Sequence, residues 1–183
     1  MLILSLDTTT RYGSVGLVSE RQLLAEINYL SPSTHSRQVF RALSTLLKIA
    51  GKQFDDIDGL AVAVGPGSFT GIRIGLSLAK ALSLASGWPV ASVCSLQALA
   101  SKLLLPGIKM ISPIIDARKG EVFACLYQIE NSRLQEVVPA GAYEPEKFLA
   151  MIPGSEPVYF IGTGVDLYLP FIKERLGPRA MIT

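Results

Sequence analysis

Two aspartates stand where carboxylate chemistry would want them: Asp7 ends the apolar run ILSLD and Asp116 ends ISPIID. A carboxylate at a strand end can hold Mg²⁺ or activate a hydroxyl, as a nucleotide-using enzyme requires. The competing account is turn chemistry, since Asp readily bonds its own backbone two residues on. With no second acid adjacent to either one, the turn is the better reading of both. The stretch GPGSFTGIRIG, Gly65 to Gly75, is the next candidate. Its glycines could present backbone N–H groups to a phosphate at a helix start, with Gly65 and Gly67 facing the nucleotide. Its Gly-x-Gly-x-x-x-Gly spacing, with no Gly-Lys-Ser/Thr after it, matches neither the dinucleotide fingerprint nor the P-loop. A tight strand-to-helix turn capped by Ser68 or Thr70 fits the residues better. His35 is the single histidine and Val39 stands one turn later, so no helical histidine pair exists for a metal. Cys94 and Cys125 sit in apolar runs outside any Cys-x-x-Cys pair, which argues against a zinc site, a disulfide framework or a Cys–His nucleophile. Neither a metal nor a cofactor is expected.

These residues must be held by an alternation of strands and helices. Leu2 to Thr8, Ser14 to Glu20 and Gln22 to Leu30 read as an antiparallel meander. Val39, Phe40, Leu43, Leu46, Leu47 and Ala50 then form one helical stripe, closed by Gly51. Leu60 to Val64 reads as a strand buried on both faces, followed by a helix to about Ser86, a strand from Val90 to Cys94 and a helix from Leu96 to about Leu104. Pro106 and Gly107 punctuate that helix. The chain then begins again. MISPIIDARKGEVFACLYQ repeats the logic of ILSLDTTTRYGSVGLVSE, with Asp116 in the place of Asp7 and Gly120 in the place of Gly13. A strand from Leu134 to Val138, a helix from Pro145 to Ile152, the strand Val158 to Ile161 and a helical stretch from Asp166 to Leu176 complete it. The expectation is a duplicated α/β fold of two lobes, residues 1–106 and 107–183.

In the helix after the glycine turn, Gly71, Gly75 and Ala79 recur every four residues, a groove of small side chains that admits a close neighbour. Phe69, Ile72, Leu76 and Leu82 flank it. Either the first helix of the same lobe or another protein could fill such a groove.

Of the 183 residues, 49% are hydrophobic and 17% charged, the balance of a folded body. A net charge of +2 is too small to serve as a nucleic-acid footprint by itself. MLILSLDTTT has no basic lead and reaches an aspartate too early for a secretory signal, so a soluble cytoplasmic protein is expected.

ILSLDTTT, AVAVGPGSFTGIRIGLSLAKAL and IIDARKGEVFA together resemble the TsaB-like family of bacterial threonylcarbamoyladenosine biosynthesis, formerly grouped with glycoprotease-like proteins. The resemblance is collinear from Leu2 to about Gly164. It implies an actin-like, ribonuclease-H-like fold of two lobes. It also implies a non-catalytic partner of TsaD, the subunit that transfers threonylcarbamoyl to N6 of adenosine 37 in tRNAs reading codons that begin with A. TsaE, an ATPase, would join the pair, and tRNA would be touched only indirectly. Contact with TsaD, or with a second copy in a homodimer, would be made by the first two helices. Carried onto this sequence, that face comprises His35, Val39, Leu43, Phe69, Gly71, Ile72, Arg73, Gly75, Leu76 and Lys80. The alternative is an actin-like ATPase or small-molecule kinase built on Asp7, Gly65, Gly67 and Asp116; a peptidase is the weaker third reading. Family members continue through further helical structure where this chain ends at RLGPRAMIT.

Overall fold

A computed structural model describes residues 1–20, 22–31 and 35–183, the side chain of His35 excepted. The chain divides into two compact units, Met1–Ser95 and Leu96–Thr183. The sequence reading closes the first lobe at residue 106; compactness instead assigns the segment after Ser95 to the second unit.

The first unit opens with β1 (Leu2–Asp7), β2 (Tyr12–Ser19) and β3 (Gln22–Leu30), an antiparallel meander. Alternation along β1 sends Leu2, Leu4 and Leu6 into the core. After α1 (His35–Ala50) comes β4 (Gly59–Gly65), which pairs in parallel with β1. Its apolar composition suits a central strand. α2 (Phe69–Ser86) then leads to β5 (Val90–Cys94), parallel to β4, giving the order β3-β2-β1-β4-β5. Both helices contribute to one core: Val39, Leu43, Leu46 and Leu47 from α1, Leu78 and Ala79 from α2.

The short α3 (Ser95–Ser101) precedes β6 (Met110–Arg118), β7 (Glu121–Glu130), β8 (Arg133–Tyr143), α4 (Pro145–Ala150), β9 (Val158–Ile161), α5 (Val165–Leu176) and β10 (Ala180–Ile182). The second sheet has the order β8-β7-β6-β9-β10, antiparallel on one side of β6 and parallel on the other. Strand for strand this is the arrangement of the first sheet. The duplicated, actin-like pair of ribonuclease-H-like sheets is therefore the architecture.

Three boundaries differ from the sequence reading. β10 was not anticipated, because three residues after a Gly-Pro carry too little periodicity to register as a strand. β8 runs on through Pro139 to Tyr143, with register shifts in its pairing to β7 that absorb the proline at the sheet edge. Phe40, read as part of the inward stripe of α1, is 58% exposed. The buried positions 39, 42, 43, 46 and 47 centre on a face that leaves residue 40 at its margin. Among the described residues no helix is long and apolar enough to cross a membrane.

Candidate functional site

The tail of β1 and the start of α2 are locked together. Asp7 Oδ1 accepts from both the backbone N–H and the hydroxyl of Thr9, each at 2.7 Å. Ser95 Oγ donates to Thr9 Oγ1 at 3.2 Å, extending the chain of bonds to the far end of β5. Thr9 O in turn accepts from Ser68 N at 2.6 Å, and the Thr8 hydroxyl donates to Gly71 O at 2.7 Å. Thr8, Thr9 and Ser95 are all buried, so each bond satisfies a group that water cannot reach. Ser68 caps α2 by accepting from Gly71 N at 3.3 Å.

This arrangement explains the glycines. A Cβ on Gly71 would collide with the Thr8 carbonyl oxygen, one on Gly67 with the Thr9 carbonyl oxygen, and one on Gly75 would lie 2.6 Å from Thr8 Oγ1. Gly65, at φ +107°, turns the chain in a conformation that other residues rarely adopt. Gly71, Gly75 and Ala79 are buried against β1 and β4 of their own unit. The small-residue stripe thus lets α2 sit close on its own sheet.

Asp116 behaves like Asp7: its Oδ1 accepts from Arg118 N at 2.9 Å. Burial first, then the charge and hydrogen bond of Asp116, push the Tyr168 phenol above its ordinary pKa. Gly162 and Gly164 of IGTGV pack against the backbone of β6, where a Cβ on either would clash. Among the described residues no group of three or more His, Cys, Asp and Glu side chains could hold a metal ion.

The outer surface of the first unit's helices is different. Between α1 and α2 lies a groove of about 500 Å³, bordered by Phe40, Phe69, Arg73, Ile74, Ser77 and Ala81 among others. Phe69 is 67% exposed, and the Arg73 guanidinium lies over its ring, 3.6 Å from the centroid. Leu76, Lys80 and Leu84 continue the exposed side of α2.

The residues carried over as a partner face divide accordingly. Phe69, Arg73, Leu76 and Lys80 are exposed; Ile72 is half-buried with its tip toward Gly65. Val39, Leu43, Gly71 and Gly75 are buried within the first unit, Val39 also bordering the groove; spacing and small size mark packing positions whichever surface they pack on. His35 opens α1, but its side chain lies outside the described set. Phe40 borders the groove without being among the residues carried over, and in the sequence only its place at the margin of the buried stripe signals it.

A family model described as "TsaD: tRNA N6-adenosine threonylcarbamoyltransferase" matches residues 29–174. The tRNA threonylcarbamoyladenosine biosynthesis protein TsaB of Bacillus subtilis is 37% identical over 185 aligned positions, covering all of this chain and 80% of the relative. The solved structure of YeaZ from Pseudomonas aeruginosa superposes with a TM-score of 0.83 at 28% identity, over 98% of this chain and 83% of that one. At the level of fold alone, component A of the (R)-2-hydroxyglutaryl-CoA dehydratase of Acidaminococcus fermentans matches with a TM-score of 0.57 at 10% identity, over 100% of this chain and 92% of that one. With a full-length relative of this identity and a family match spanning most of its residues, the chain belongs to the TsaB family of tRNA threonylcarbamoyladenosine biosynthesis proteins.

Proposed function

We propose that this chain acts in threonylcarbamoyladenosine biosynthesis as a non-catalytic subunit, docking a TsaD-type transferase through the α1–α2 face of its first unit. The observation that carries the reading is the exposed pair Phe40 and Phe69, bordering an apolar groove between two helices whose inner sides are fully committed to the core. Aromatic side chains, Phe among them, are enriched in protein interfaces relative to the rest of the surface. The two strand-end aspartates are engaged by their own turns, which suits a structural role for them. The docked pair would let the transferase act on adenosine 37, with a TsaE-type ATPase joining as a third subunit.

The test is size-exclusion chromatography with light scattering on this chain, on the TsaD-type subunit of the same organism and on their mixture. Co-elution as a heteromeric complex is expected. If the two never co-elute, even with ATP and the TsaE-type subunit present, the reading fails. ATP turnover by the isolated chain, abolished by Asp7→Asn, would put a nucleotide enzyme in its place.

A further inference from the structure

The edge strands of the two sheets are not alike. A strand at a sheet edge presents unpaired N–H and C=O groups to any extended chain, and folded proteins guard such edges with charge, proline or shortness. Among the described strands, β3 carries the exposed Glu26, β8 carries Arg133, Glu136 and Pro139, and β10 is three residues long. The fourth edge, β5, has the sequence VASVC and none of these devices. Between Lys80 and Lys102 the chain has no charged residue at all. Val90 is 45% exposed, and Ala91 and Ser92 are exposed beside it.

The ladder fixes which backbone groups are open. Leu60 N donates to Pro89 O at 2.9 Å, and β5 runs parallel to β4 with Leu60 opposite Val90 and Val62 opposite Ser92. In a parallel ladder successive residues turn their backbone groups to alternate sides, so Pro89, Ala91 and Val93 serve β4 while Val90 and Ser92 face outward. Among the described residues no turn, loop or cap bond takes up the backbone groups of either. An open row of this kind is filled by an added strand.

We infer that β5 pairs antiparallel with β5 of a second copy of this chain, about a two-fold axis at Ser92, joining the two first-unit sheets into one. The inference is independent of the proposed function and uses no residue of the α1–α2 face. The register sets Ser92 opposite Ser92, Val90 opposite Cys94 and Ala91 opposite Val93. No pair brings like charges together, and the two outward-facing serines exchange both of their N–H···O bonds. The run reads alike in both directions, apolar at its ends and serine at its centre, which suits a self-complementary contact. Two-fold closure uses up both edges, so this association stops at two copies.

Cysteine chemistry reads the register. In a hydrogen-bonded antiparallel pair the Cα atoms of facing residues lie about 5.5 Å apart, inside the span of about 4.4–6.8 Å that a disulfide bridges. In a Cys94→Ala background, Ser92→Cys should therefore become a covalent dimer under glutathione disulfide. Its rate should exceed by at least about tenfold that of Lys52→Cys, an exposed position outside the sheet, because pairing raises the effective thiol concentration. Ser92→Pro removes an N–H that serves no internal bond, so circular dichroism should stay that of the parent. Light scattering should show its self-association at least about tenfold weaker, two donors being lost per dimer. Ser92→Lys keeps every backbone group and sets two ammonium groups face to face, and it should weaken self-association by a similar factor.

Cross-linking of Ser92→Cys no faster than that of Lys52→Cys overturns the inference. So does a parent chain that stays monomeric at every concentration, or one whose self-association ignores both Ser92→Pro and Ser92→Lys. A cross-link from Ser92→Cys only to a different polypeptide makes β5 a docking edge for a partner's strand, and the inference fails. Each of these results leaves the proposed function standing, since binding of the TsaD-type subunit is read separately.

Discussion

Ser112 carries its hydroxyl into the core of the second unit, on the side of β6 shared with Met110 and Ile114 and beside Phe160 of β9. It is fully buried, and among the described residues its Oγ has no hydrogen-bond partner. An unsatisfied buried hydroxyl costs about 1–3 kcal/mol, so Ser112→Ala should stabilise the protein by about 1 kcal/mol and raise the melting temperature by about 2–4 °C. A thermal melt without that rise would show that the hydroxyl is satisfied in solution. Tyr29 gives a second prediction. Burial, and after it the Asp7 carboxylate, push its phenol from 10.0 up to about 12. The fold thus favours the neutral phenol, and that contribution is complete below the unfolded-state value and is lost as pH rises toward the folded one. Urea stability should decline between about pH 10 and about pH 12, and Tyr29→Phe should flatten that decline. A slope unchanged in Tyr29→Phe would assign it to other groups. The carboxylates at Asp7 and Asp116 were readable from sequence because an Asx turn is a local event: each accepts a backbone N–H two residues away.

The start of α2 shows where such local legibility stops. Four-residue spacing of Gly71, Gly75 and Ala79 correctly announces a close approach, but a helix face of small residues does not say what approaches it. In this fold the neighbour is the Thr8–Thr9 tail of β1, brought there by a parallel pairing of strands more than fifty residues apart in the chain. Gly71→Ala should therefore destabilise the first unit by about 1–3 kcal/mol, the cost of overpacking a filled core, as read by urea unfolding. A charge at Gly75, which as a docking probe would look decisive, perturbs folding first. Phe40 illustrates the converse: apolar type placed it with the core, and the true centre of the buried stripe, set by which α1 positions share the core with Leu4 and Leu17 of the sheet, leaves it outside. The meander, α1, β4, α2 and the repeat around Asp116 were all visible in periodicity, whereas the three-residue β10 is fixed by pairing with β9 and not by its own pattern.

For the whole molecule, affinity and stability should separate on the outer surface of the first unit. Phe40 and Phe69 are 58% and 67% exposed, so Phe40→Ala with Phe69→Ala should change unfolding free energy by no more than about 0.5 kcal/mol. The same pair of substitutions should weaken binding of the TsaD-type subunit by tenfold or more, at least about 1.4 kcal/mol. Titration calorimetry beside a urea curve reads both quantities, and a loss of stability matching the loss of binding would count against a dedicated docking surface. The order of elements has a consequence for synthesis. Every strand and helix that builds the α1–α2 surface lies within Met1–Ser95. A chain leaving the ribosome amino end first can close β4 against β1, and seat α2 on the Thr8–Thr9 tail, before the second unit is complete. The α1–α2 surface is thus finished early, and nascent chains present it before synthesis ends.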